Sequence, residues 1–122
     1  MQKYEELRIW KESREFVCEI YKMLQNNKDY GFKDQIQRAA VSIMNNIAEG
    51  CDSGSDNLFI RYLKIARASS GEVNSMLYLC EDLQYIEKDK IKELQDKIYT
   101  LSAGIQSLIH YLKISTKKPL VS

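Results

Sequence analysis

The chain has 122 residues and a mass of 14.2 kDa, which suits one domain and leaves no room for a second independent core. Hydrophobic residues make up 44% and charged residues 29%, as in globular proteins. The chain has only five glycines and one proline, and this low number argues against a turn-rich all-β fold. The 18 basic and 17 acidic residues give a net charge of +1, so nucleic-acid binding would need a local basic patch or several copies of the chain.

Three polar breaks divide the chain into four long segments with helical periodicity. The predicted helices cover residues 3–26, 32–50, 56–84 and 88–115. Short connections between long helices favour antiparallel neighbours. The sequence therefore predicts an all-α fold, an antiparallel up-down-up-down four-helix bundle. We expect a single domain over residues 1–115 and a disordered tail over residues 116–122.

The first and third helices have apolar arcs wider than a small bundle needs. The first helix carries two stripes, formed by Leu7, Trp10, Val17, Tyr21 and Leu24 and by Ile9, Phe16, Ile20 and Met23. The third helix repeats the pattern with Leu58, Tyr62, Ile65, Met76, Cys80 and Leu83 beside Phe59, Leu63, Val73 and Leu77. Helices of this kind usually bury more than one face, which predicts a homo-oligomer with subunit contacts from these two helices. A monomer with apolar helix flanks is the alternative.

The second helix carries a polar row beside its core face, formed by Gln35, Arg38, Ser42, Asn46 and Glu49. On the third helix, Glu72 falls within the apolar stripe, where a carboxylate needs a partner. Antiparallel geometry places Arg38 within reach, so we expect a buried Arg38–Glu72 ion pair that fixes the register of the two helices. A role for Glu72 as general acid or base is the less favoured alternative.

Helix ends and one regular seam complete the predicted elements. We expect Gly50 to cap the second helix, and Ser55 or Asp56 to begin the third. The fourth helix has an apolar seam with steps of three and four, formed by Ile91, Leu94, Ile98, Leu101, Ile105, Leu108 and Leu112. This spacing is typical of a helix bundle.

The sequence offers no set of residues typical of catalysis. His110 is the only histidine, and Cys18, Cys51 and Cys80 lack the spacing of a zinc site. There is no glycine-rich phosphate loop and no nucleophile–histidine set. We therefore expect no enzyme activity, metal, cofactor or small-molecule substrate. With no apolar signal core and no run long enough for a membrane span, we expect a cytoplasmic protein.

Basic residues recur every third position on two helices. They are Arg61, Lys64 and Arg67 on the third helix, and Arg8, Lys11 and Arg14 on the first, where Glu12 and Glu15 interrupt them. Tyr62 lies near the first of these rows and could stack on an unpaired base, although core packing is the simpler interpretation. A solvated face with compensating charges is the alternative for both rows. In a homo-oligomer the rows would multiply, and affinity for phosphate rises steeply with such charge.

The run QIQRAAVSIMNNIAEG at residues 35–50 closely resembles the signature of a bacterial four-helix-bundle family. This family includes the proteins encoded in intervening sequences of 23S ribosomal RNA genes. Supporting matches are LRIW at 7–10 and FIRYLKIARASSGE at 59–72. The resemblance implies a bundle that assembles as a ring-like homopentamer. A relative, the accessory variability protein of diversity-generating retroelements, implies nucleic-acid binding on a basic pentamer surface.

From residues and resemblance together we expect a non-catalytic protein that oligomerises, as a homopentamer, and binds RNA or DNA. The expected phosphate contacts come from Arg61, Lys64 and Arg67, with Arg8, Lys11 and Arg14 as weaker candidates. The alternative is a purely structural or protein–protein interaction module that binds no nucleic acid.

Overall fold

The computed structural model describes residues 3–117, which form four α-helices. They are α1 (Arg8–Met23), α2 (Tyr30–Asp52), α3 (Asp56–Asp82) and α4 (Lys88–Lys117), and a short 3₁₀ helix (Tyr4–Glu6) precedes α1. No strand occurs within residues 3–117, so the predicted all-α class is confirmed. The helix α4 continues past the expected domain end at residue 115, and residues 118–122 of the predicted tail lie outside the described residues.

Side-chain caps set the starts of two helices. Asp29 accepts a hydrogen bond from the Phe32 backbone N–H at 3.3 Å, so α2 begins two residues earlier than predicted. Ser55 accepts one from the Leu58 N–H at 3.3 Å and begins α3, as one of the two predicted caps. Gly54 has a φ of +73°, which a residue with a Cβ rarely adopts, and it reverses the chain between the two helices.

Gly50 does not end α2, and the predicted C-cap is wrong. The helix runs on to Asp52, with Gly50 buried inside it. A Cβ built on Gly50 would lie 2.8 Å from the Phe59 ring and 2.9 Å from the Tyr62 Cβ. The glycine therefore lets α2 and α3 approach closely where the two helices leave their turn.

The predicted seam of α4 forms the core face of this helix, except that one of its seven positions is replaced in the core by the next residue. Its buried members are Ile91, Leu94, Ile98, Leu101, Ile105 and Leu112. Leu108 is only partly buried, and Ile109, with 1% exposure, fills the core beside it. A straight helix drifts about 20° per heptad from a 3.5-residue repeat, so over a long helix the buried position moves by one residue.

Each helix packs against the next one along the chain, and α1 also packs against α4. Between α2 and α3, the Ser42 and Ser69 hydroxyl groups lie 2.9 Å apart, and Gln35 donates a hydrogen bond to Glu72 at 3.4 Å. Together with the contact of Gly50 and Phe59, these pairs run in opposite directions along the two helices. All four helices therefore share one core and leave their outer faces on the surface.

The prediction of a buried Arg38–Glu72 ion pair is wrong. The Arg38 side chain is 80% exposed and pairs with Asp34 of its own helix at 2.8 Å. Glu72 is also exposed, and its carboxylate accepts the hydrogen bond from Gln35. Glu72 lies at the outer edge of the contact between α2 and α3 and is exposed to solvent. Between these two helices the structure shows instead the Ser42–Ser69 contact and the close approach at Gly50.

A cluster of charged side chains joins α1 to α4. Glu19 accepts hydrogen bonds from Lys97 at 2.5 Å and from Lys90 at 3.2 Å, and Glu93 lies within 3.5 Å of both lysines. Partial burial by itself would raise the pKa of Glu19, but the hydrogen bonds from Lys97 and Lys90 outweigh it, and the pKa lies below its usual value. The ionised carboxylate therefore stabilises the contact of α1 with α4.

We expect this cluster to make the fold sensitive to acid. Since the pKa of Glu19 is lower in the folded chain, its ionised form stabilises the fold above the unfolded value of about 4.3, and this contribution is lost as the pH falls through the folded value. Glu19→Gln should lower the free energy of unfolding at neutral pH by about 0.5–1 kcal/mol and weaken its dependence on pH in acid. Urea unfolding at a series of pH values measures both effects.

The matched control is Asp96→Asn, which neutralises an exposed carboxylate of α4. It should leave the pH dependence as in the unmodified protein. An unchanged acid sensitivity in Glu19→Gln would show that the cluster does not stabilise the fold.

Candidate nucleic-acid interface

The three basic residues predicted on α3 all lie on the surface. Arg61, Lys64 and Arg67 are exposed, and no aspartate or glutamate occurs from residue 57 to residue 71. Steps of three residues turn the helix by about 300°, so each side chain is displaced by about 60° from the one before. Arg61 therefore lies beside Ile65, whereas Arg67 lies against α4 and donates a hydrogen bond to Gln106. No acidic residue of this stretch compensates the positive charge of the row, and the row winds around the helix.

The basic residues of α1 have a different environment. Arg8 pairs with Glu12 at 3.6 Å, and the Arg14 guanidinium lies 5.7 Å from the centre of the Trp10 ring. Lys11 is exposed on the same helix. Acidic neighbours therefore offset this row, as its sequence indicated.

The structure does not bring the two predicted rows together. Within the described residues, α1 packs on α2 and α4 and makes no contact with α3. The rows of α1 and α3 thus lie on opposite sides of the bundle. On one chain, a ligand can therefore contact only one of the two rows at a time.

A further basic region on α4 was missed at the sequence level. His110 and Lys113 are exposed, and they follow Gln106, the partner of Arg67, along the helix. No acidic residue follows Asp96 anywhere in the chain. That absence was visible in the sequence, but only the packing of α3 on α4 shows that two acid-free stretches lie side by side. Together they extend the basic row of α3 onto α4 through Lys113.

A mainly apolar row that is partly exposed lies on the other side of α3. We call it the α3 seam; its positions follow steps of four and three, and its members are Leu58, Tyr62, Ile65, Ser69, Glu72, Met76, Leu79 and Leu83. Ile65 is 49% exposed, and Leu58, Leu79 and Leu83 are exposed to a similar extent. The contact of Ser69 with Ser42 shows that the seam borders α2. Repeats of this kind are typical of helices that pack against another helix.

The remaining chemistry of the described residues is sparse. No group of three or more His, Cys, Asp and Glu side chains that could hold a metal ion occurs within residues 3–117. Burial raises the pKa of the Cys80 thiol to about 11, so this cysteine stays protonated and unreactive at neutral pH. Within residues 3–117, no helix meets the length and hydropathy needed for a membrane span.

Comparison with known proteins agrees with the resemblance seen in the sequence. The model of the 23S rRNA-intervening sequence protein family matches residues 5–107. A similar solved structure is the crystal structure of a protein of unknown function from the S23 ribosomal protein family of Bacteroides thetaiotaomicron VPI-5482. The two chains are 28% identical with a TM-score of 0.78, over 84% of this chain and 95% of that one. No curated protein matches the sequence.

Proposed function

Because the chain belongs to the 23S rRNA-intervening sequence protein family, we propose that it is a non-catalytic nucleic-acid-binding protein. In this proposal an up-down-up-down bundle assembles as a ring-like homopentamer and binds RNA or DNA through Arg61, Lys64 and Arg67. The row of Arg8, Lys11 and Arg14 has a secondary role, since Glu12 offsets it.

The positive charge of residues 57–71 within α3 is the observation that carries this proposal. Three exposed cations lie in a stretch of fifteen residues, 57–71, that contains no acid. In a chain with a net charge of only +1, such a segregated stretch gives a local positive potential. Phosphate backbones are bound mainly through such cations, with release of counterions.

The α3 seam supports assembly of several copies. Four exposed aliphatic side chains in a heptad-like row on one helix form an apolar surface that a second copy could cover. Five copies with three α3 cations each would present about fifteen positive charges. The antiparallel contacts of α2 with α3 and the closure of α1 on α4 support the up-down-up-down topology.

Salt titration of nucleic-acid affinity tests the proposal. For the purified oligomer, we expect log Kd to rise linearly with log salt concentration for structured RNA or duplex DNA. Reversing charge with Arg61→Glu/Arg67→Glu should weaken binding at least about tenfold at low salt and reduce the slope by about 1.5–2. Fluorescence anisotropy of labelled oligonucleotides measures both quantities.

The matched control is Lys22→Glu/Lys92→Glu, which changes the net charge equally at exposed sites of α1 and α4 outside the acid-free stretches. It should keep most of the affinity and the slope. If the unmodified oligomer binds neither RNA nor DNA at low salt, the proposal fails, and a structural or protein–protein interaction module is the function that remains.

A further inference from the structure

The groove between α3 and α4 has an exposed aromatic ring beside small polar side chains. Tyr99 is 78% exposed, and it lines a shallow pocket with Ser102 of α4 and with Ser70, Gly71 and Asn74 of α3. A Cβ added at Gly71 would meet no atom within 4 Å. The tyrosine ring is therefore accessible from solvent at the surface of the groove.

Basic side chains continue the same groove toward the end of α4. Gln106, which accepts the hydrogen bond from Arg67, lies seven residues after Tyr99, and Lys113 lies seven residues further on. Residues seven apart share nearly the same helix face and are separated by about 10 Å. Tyr99, Arg67 and Lys113 thus form one row about 20 Å long.

We infer that this row binds single-stranded nucleic acid, with a base stacked on Tyr99 and phosphates bound by Arg67 and Lys113. The inference rests on the proposed nucleic-acid function and adds the strand form and the site. Aromatic side chains stack on unpaired bases of any sequence, whereas in a duplex the base faces are covered by their neighbours. A surface that bound only the backbone of a duplex would gain nothing from this ring.

The site is compatible with the proposed assembly. The α3 seam, which we assign to contacts between copies, borders α2, whereas the groove lies on the side of α3 that faces α4. Each copy would then offer its own groove to the strand. A ring of copies would hold several segments of one flexible strand.

The test compares single strand with duplex for the full-length oligomer. The probe is a labelled RNA of mixed sequence and about 12 nucleotides, measured alone and annealed to its complement. Tyr99→Ala should weaken single-strand binding about 5- to 100-fold and leave duplex binding nearly unchanged. Tyr99→Phe should keep the affinity because the ring remains. The matched control is Tyr30→Ala, which removes a tyrosine ring of 70% exposure at the start of α2.

The possible outcomes separate the inference from the proposed function. If the protein binds nucleic acid but Tyr99→Ala keeps the unmodified single-strand affinity, or if duplex is preferred, the inference is wrong and the proposed function stands. If neither form binds at low salt, the proposed function is wrong as well. Circular dichroism of each variant shows whether the fold is retained, and a well-folded Tyr99→Phe variant that lost affinity would also contradict stacking.

Discussion

Ile65→Lys is expected to convert the proposed oligomer into a monomer of about 14 kDa. Ile65 lies in the middle of the α3 seam and is 49% exposed on the single chain. In an interface between copies, a lysine in place of Ile65 would lose its hydration and the apolar contacts of the isoleucine, which costs several kcal/mol. Because a ring repeats the contact at every subunit boundary, one substitution per chain affects all of them. Light scattering at micromolar concentration measures the mass.

The matched control is Ile114→Lys. Ile114 lies on α4, outside the seam, and is 50% exposed. The control therefore replaces an isoleucine of nearly equal exposure with the same lysine. We expect this variant to keep the oligomeric mass. If Ile65→Lys also keeps it, or if the unmodified protein is already a monomer, the α3 seam does not join copies of the chain.

Gly50→Ala is expected to lower the free energy of unfolding by about 1–3 kcal/mol. The new Cβ would lie within 2.9 Å of both the Phe59 ring and the Tyr62 Cβ, and 3.3 Å from the Phe59 Cα. Since one of these atoms belongs to the backbone, α3 itself has to move away from α2. Chemical unfolding of both proteins at the same protein concentration measures the change, because unfolding that is coupled to assembly depends on concentration.

Gly71→Ala provides the matched control for Gly50→Ala. Gly71 also lies inside a helix, but a Cβ there meets no atom within 4 Å. Alanine should therefore stabilise the protein by about 0.5–1 kcal/mol, because it removes the entropic cost of a glycine within a helix. Equal effects of the two substitutions would contradict the assigned role of Gly50.

The helices and most of the core could be predicted from the sequence because they depend on local order. Apolar spacing along α4 correctly gives six of seven seam residues as buried, and the exception, Leu108, follows from the drift of a straight helix. The start of α3 was predictable because a cap is made within a few residues of chain. The candidate cations of α3 could be found for the same reason, as a local run without acid.

Partners across helices were not predictable in the same way. Arg38 was assigned to Glu72, but it pairs at 2.8 Å with Asp34, one turn away on its own helix, which needs no burial of charge. Gly50 was taken for a cap because glycine commonly ends helices, and only the position of Phe59 shows that it admits a neighbouring helix. In both cases the sequence restricts the residue types, while the distance between helices selects the contact.

The four helices, their apolar faces and the acid-free stretches can be recognised in the sequence alone, since each is set by residue types at fixed spacing along one chain segment. Which of these surfaces meet is visible only in the packed fold. It placed the basic end of α3 beside that of α4 and left the α3 seam exposed along α2. The physical reason is that helix packing depends on rotation and register between segments far apart in the chain, which are set by close approach at residues such as Gly50.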